Sequence, residues 1–252
     1  MNNVNRRQFL QTSFATAGAL IANAGWTFAA PWTPGIESRA SGSITGEERT
    51  LQPDIWALEI NYKQLRMVTV DLPDAKSGEL TNRLVLYLAY RVVNRIIPGL
   101  PVQKWEPGNE PLFVPQFTLV TQDEGPQKSY IDRVMPMAQA VIVKRERYAY
   151  KNAVEIVGPV PPATALDAKP GSEKSLDGLA MWRSVDPEAD RFKIFVTGLS
   201  NGYRKEPGPD GTPVTQRKTL VLDFWRPGDS LDQNEREVRP NPKNDQPQWI
   251  YK

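Results

Sequence analysis

Residues 83–94, RLVLYLAYRVVN, constrain the fold more than any other stretch of the chain. Leu84, Leu86, Leu88, Tyr90 and Val92 form one continuous apolar row at period two. Arg83 and Arg91 share the opposite row with Val85, Tyr87 and Val93. Alternation of this kind predicts a strand, and its length predicts a place near the centre of a sheet. Shorter segments repeat the pattern. Trp56, Leu58 and Ile60 alternate with Ala57 and Glu59, and Val68 and Val70 oppose Thr69 and Asp71. Phe113, Phe117 and Leu119 share a face, with Pro115 marking an edge or a bulge. Phe192, Ile194 and Val196 point inward in one run, and Leu220, Leu222 and Phe224 in another.

The intervening segments are rich in turn residues. NAVEIVG reads as a short strand before a Pro-rich loop, and GLAMW as another. The Pro-Asp-Gly of residues 209–211 predicts the tip of a long hairpin, and the terminal QWIYK a last edge strand. Residues 136–148 are the best helix candidate: Pro136 suits the first helical position, and Met137, Val141 and Tyr148 recur at near-helical spacing. A strand over AVIVKRERY is the rival reading. Short strands at fairly regular spacing, separated by Gly/Pro turns, predict a mainly β chain folded as a β-sandwich, with at most one short helix and long Pro/Gly-rich loops.

The first 30 residues read as an address. Arg6 and Arg7 precede a short run rich in Ala, Gly and Thr, and Ala22-Asn23-Ala24 fits a small-x-small cleavage site, with Ala29 or Ala30 as the other option. The run resembles the twin-arginine signal family, whose pattern is Ser/Thr-Arg-Arg-x-Phe-Leu-Lys. Arg6, Arg7, Phe9 and Leu10 match it, while Asn5 and Gln11 depart from it at permissive positions. The resemblance implies export of a folded protein to the periplasm or beyond. The run is too weakly apolar for a stable membrane span, which needs about 20 apolar residues. Residues 31–50 read as a flexible spacer and 51–252 as one sandwich domain.

Composition narrows the chemistry. The 252-residue chain contains no cysteine and no histidine. This removes disulfides, thiol nucleophiles, Cys-type zinc sites, the Ser-His-Asp triad and imidazole metal ligands. No cofactor is expected. Arg6 and Arg7 are the only charged residues of the first 30, so the remainder balances 29 basic against 29 acidic residues. That balance argues against a nucleic-acid partner, which requires a basic footprint.

A second resemblance lies within the strands. LVLYLAYRVVNR, FVPQFTLVTQDEG and SYID are similar to the core of immunoglobulin-like extracellular domains in bacteria, with Asn94, Phe117, Leu119, Asp123 and Gly125 at the matching places. RFKIFVTGLSNGY and RKTLVLDFWRPGD are similar to a family of uncharacterised exported bacterial proteins. These resemblances imply export and an immunoglobulin-like sandwich, and they bring no catalytic residues.

Candidate sites are few. Asp186, Glu188 and Asp190 alternate as in a calcium loop but lack its Gly and distal Glu, so a turn explains them more simply. GLSNG reads as a strand end and turn. Among the seven tryptophans, Trp105, in the polar loop QKWEPGNEP, is the candidate ligand contact, because an exposed ring stacks on sugars; a Trp folded back on the sandwich is the rival. The expectation is a non-enzymatic binding or assembly module of the cell envelope, with an envelope protein as partner. The alternative is a carbohydrate-binding module or a small carboxylate-based glycan hydrolase, for which an exposed aromatic row beside two acids would speak.

Overall fold

The double apolar row becomes the middle of a 16-residue strand that faces a core on each side. The computed structural model describes residues 37–74, 76–97, 105, 110–123, 126–163, 174–226, 237–241, 243 and 246–252. In chain order the elements are β1 (Glu37–Ala40), α1 (Gly46–Leu51), β2 (Glu59–Lys63), β3 (Leu65–Pro73), β4 (Leu80–Arg95), β5 (Leu112–Phe113), β6 (Gln116–Thr121), β7 (Ser129–Ile131), α2 (Pro136–Glu146), β8 (Gly158–Pro159), β9 (Pro162–Ala163), β10 (Ser175–Arg183), β11 (Arg191–Thr197), β12 (Tyr203–Pro207), β13 (Pro213–Trp225), β14 (Glu237–Pro240) and β15 (Gln248–Tyr251).

The fold is mainly β and sandwich-like. In the first layer β2 and β3 run in succession antiparallel to β4, from Glu59↔Val93 to Pro73↔Leu80. β10 pairs with β4 from Ser175↔Val93 to Arg183↔Val85. In the second layer β13 pairs with β11, and β11 with β6, which carries β7. The layers are joined at two seams. β14 pairs with both β13 and β3. At the opposite seam the Arg133 N–H donates to the Met181 carbonyl (3.0 Å), and the Met181 N–H donates to Asp132 Oδ1 (2.7 Å). A carboxylate there stands in for a backbone carbonyl, and the strands form a nearly closed ring. Closure satisfies edges that would otherwise stay open to other chains.

The main core lies between the layers. Leu86, Leu88, Tyr90 and Val92 of β4, with Trp182 of β10, meet Phe117, Leu119, Phe192, Ile194, Leu222 and Phe224. The Tyr90 and Phe117 rings bridge the layers at 4.6 Å. Each such side chain contributes about 1.5–3 kcal/mol through burial. The other face of β4 presents Val85, Tyr87 and Ala89 to α2, which covers them with Ala138 and Ile142. A helix is therefore the correct reading of residues 136–146. Pro136 sits in its first turn, and Arg147 ends it in the left-handed conformation (φ 51°).

Four expectations need correction. The spacer reading fails for residues 37–50: β1 pairs with β2, and α1 opens with a capping box. Its hydrogen bonds run from the Glu48 N–H to Thr45 Oγ1 (3.1 Å) and from the Thr45 N–H to Glu48 Oε2 (2.8 Å). Two helices are present among the described residues rather than at most one. NAVEIVG is largely a turn, because Asn152 Oδ1 accepts the N–H groups of Val154 and Glu155 and curls the chain. Finally, α2 buries Ala138, Ile142 and Glu146 and leaves Met137 and Val141 exposed. The apolar spacing pointed to the wrong face because the helix buries a carboxylate.

Candidate functional site

Two clefts combine shape with chemistry. The first opens beside the β6–β7 end of the second layer. Leu112, Val114 and Ile131 rim it and are 54%, 51% and 59% exposed. Trp56 and Phe117 lie further in, and the volume is about 520 Å³. The wall is shaped by the turn after β11. Gly198 adopts φ +91°, and a Cβ there would sit 2.1 Å from the Val114 carbonyl oxygen, so only glycine allows the two backbones to approach this closely. Val114 and Pro115 separate β5 from β6 along the chain, and both line the opening. The turn itself is tied down: Ser200 Oγ donates to the Trp56 carbonyl (2.5 Å), and Asn201 Oδ1 accepts the Trp56 N–H (2.8 Å). GLSNG is a strand end and turn, as read from the sequence.

Asp132 lies in the same cleft. Its Oδ1 closes the seam with Met181, while Oδ2 is buried without a hydrogen-bond partner among the described residues. Burial pushes this carboxyl up to about 6, and the N–H groups of Met181 and Arg133 offset that only in part. Arg217 adds a cation to the lining. The result is an apolar mouth with one raised carboxyl and one guanidinium, a combination typical of binding sites.

The second cleft, of about 550 Å³, lies between α1, β12 and β15. Its floor is a buried ion pair. Lys218 Nζ donates to both oxygens of Glu48 (2.7 Å each) and to the Ser43 carbonyl (2.6 Å). Tyr251 Oη donates to Glu48 Oε1 at 2.5 Å. Burial alone would raise the Glu48 carboxyl; the hydrogen bonds of Lys218, Tyr251 and Thr45, with the Lys218 charge, outweigh it and hold the group below its usual range. The Tyr251 hydroxyl is pushed up to about 12 by burial and by its bond to Glu48. Trp249 lies 5.5 Å over Lys218 Nζ, and the Arg204 guanidinium lies 4.1 Å from the Tyr251 ring.

Trp105 is half-buried and lines neither cleft. The targeting residues Arg6, Arg7, Phe9, Leu10, Ala22 and Ala24 lie outside the described residues. Of the immunoglobulin-like set, Phe117 and Leu119 are core residues, Asn94 Nδ2 donates to the Val160 carbonyl, and Asp123 Oδ1 accepts the N–H groups of Asp190 and Arg191. Gly125 lies outside the described residues. Asp186 pairs with Lys128 and caps its own turn through the Glu188 N–H. No group of three or more metal-ligating acids forms among the described residues.

Sequence reasoning missed Glu48, Trp249 and Tyr251. Two signals were available: Thr-x-x-Glu at 45–48 is a capping-box pattern, and Trp249 and Tyr251 stand two apart on one strand face. Comparison with known proteins finds no matching family model, no matching curated protein and no matching solved structure.

Proposed function

We propose that this chain is an exported, non-enzymatic binding or assembly module of the cell envelope, and that the apolar cleft is its contact surface. The observation that carries this reading is the grouping of Leu112, Val114 and Ile131, each more than half exposed, around one opening. Exposed apolar side chains scattered singly need no explanation; several around a concave site favour a partner. The occupant that fits is an extended segment of a partner protein. It would insert an apolar side chain between Leu112, Val114 and Ile131, toward Trp56. The immunoglobulin-like resemblance supports loop-end and edge contacts of this kind. The twin-arginine resemblance supplies the compartment.

A pull-down of residues 31–252 from envelope extract tests the reading. One protein is expected to co-purify with the wild-type chain, to be lost with Leu112→Asp and Ile131→Asp, and to be retained with Trp105→Ala. Equal recovery with the cleft variants sinks the proposal. Export is checked separately: Arg6→Lys with Arg7→Lys should hold the precursor in the cytoplasm.

A further inference from the structure

The second cleft has a different chemistry, and the geometry points to a short neutral oligosaccharide as its ligand. Three features carry the inference independently of the apolar cleft.

The first is charge. Glu48 is saturated by Lys218, Tyr251 and the Thr45 N–H, and Lys218 by Glu48 and the Ser43 carbonyl. The floor is thus neutral and internally satisfied, and it demands no charged ligand. Above it stand Arg204 and Glu206, one of each sign, with Gln216 half-buried between strand neighbours. The cleft carries no net charge to attract an anion or a cation.

The second is shape. Trp249 and Tyr251 project from one face of β15, and both line the cleft. The Trp249 Nε1–H is fixed on the Ser41 carbonyl (3.1 Å), and the Tyr251 hydroxyl is fixed on Glu48. Both rings are therefore held in orientation before any ligand arrives, which lowers the entropy cost of binding. Trp249 is partly buried against the main core and is among the residues that line the cleft. A pyranose has one flat face of C–H groups that suits such a ring.

The third is the mixture of polar groups. A sugar hydroxyl both donates and accepts. Arg204 donates, Glu206 accepts, Gln216 does both, the Ser43 hydroxyl adapts to either, and the Thr45 hydroxyl, whose oxygen accepts the Glu48 N–H, keeps its proton to donate. A volume of about 550 Å³ accommodates two to three sugar rings.

The test is titration calorimetry of the full chain with chitotriose, cellotriose and maltotriose, followed in parallel by tryptophan fluorescence. At least one probe is expected to bind in the micromolar to low millimolar range. Trp249→Ala should weaken that probe about 10-fold or more, and Trp249→Phe should retain part of the binding. Gln216→Ala, which removes no hydrogen bond of the buried ion pair, should weaken it about three-fold without lowering Tm. It therefore reports on the site even where Trp249→Ala fails to fold. Silence with all three probes overturns the inference, as does binding that Trp249→Phe and Gln216→Ala leave unchanged. Loss of the partner protein with Leu112→Asp leaves this result untouched, so the two sites fail separately.

Discussion

On the inner face of β4, Leu86, Leu88, Tyr90 and Val92 pack into a core of apolar side chains. On its outer face Tyr87 donates to Glu146, and Arg91 donates to Asp177 at 2.7 Å. The outer network extends through Lys63 and Arg66, both bonded to Glu146 at 2.9 and 2.8 Å, and through Tyr148, bonded to Asp177 at 2.5 Å. Lys63 and Glu146 are each 1% exposed. One strand thus separates two kinds of interior. The inner one is stabilised by area and dispersion, which are non-directional and insensitive to pH. The outer one adds to its apolar contacts a set of buried charges that must each keep their partners, because a lone buried ion loses several kcal/mol of hydration. The difference teaches where the fold is tolerant and where it is brittle.

The largest effects should come from breaking one member on each side. Trp182→Ala, at the inner core, should cost about 3–5 kcal/mol at every pH at which the chain folds. Glu146→Ala should cost a similar amount, about 3–5 kcal/mol, by removing the buried carboxylate that Lys63 and Arg66 share. The two losses separate on acidification. Burial raises the Glu146 carboxyl, but the hydrogen bonds of Lys63 and Tyr87 and the charges of Lys63 and Arg66 hold it below its ordinary value. Its contribution is therefore present above the unfolded value of 4.5 and is lost as pH falls through the lower folded value. Denaturant titrations across pH should show the Glu146→Ala gap closing in acid and the Trp182→Ala gap persisting. Parallel pH curves would erase the distinction between the faces.

A smaller effect sharpens it. Lys63→Met with Glu146→Leu removes both buried ions, leaves Arg66, whose side chain is 14% exposed, to turn toward water, and takes the acceptor from the buried Tyr87 hydroxyl. That double variant should recover to within about 1–2 kcal/mol of wild type, since an apolar pair avoids the desolvation cost. Tyr148→Phe leaves Arg91 on Asp177 and should cost about 1–2 kcal/mol. Both are read from urea midpoints at unchanged m-value.

These two interiors were unequally legible. The inner face of β4 and the inward rows of β11 and β13 followed from period two, because apolar burial leaves a pattern in the sequence. The outer face left a mixed pattern, Val85, Tyr87 and Val93 sharing a row with Arg83 and Arg91. Glu146 and Lys63 look like surface residues in VKRERY and NYKQ, and only the fold brings them together across 83 positions. The same limit explains α2, whose buried stripe runs Ala138, Ile142, Glu146 rather than through its larger apolar residues. It also explains why the clefts escaped notice: Trp56, Ile131 and Ser200 share a cleft through topology alone. Trp105 was conspicuous because its loop is polar, which says nothing of where the ring lies.

Asp132 belongs to neither interior and offers the smallest test of the contrast. It sits at the seam, charged above about 6, with one oxygen bonded to Met181 and the other unpartnered. Its folded value lies above the unfolded 3.8, so the folded state holds the extra proton between them. The associated stability is complete below the unfolded value and is lost as pH rises through about 6, the reverse of Glu146. Asp132→Asn keeps the acceptor for Met181 and removes the charge. The full shift corresponds to a gain of about 3 kcal/mol. The amide nitrogen, left buried without an acceptor, takes back about 1–2 kcal/mol. A net gain on the order of 1 kcal/mol is expected at pH 8, shrinking to nothing or reversing near pH 4, where the acid itself is neutral. A variant equally stabilised at both pH values would place the strain in packing rather than charge. A variant destabilised at pH 8 would show that the carboxylate has a partner in solution, which makes the seam a third paired site like those around Glu146 and Asp177.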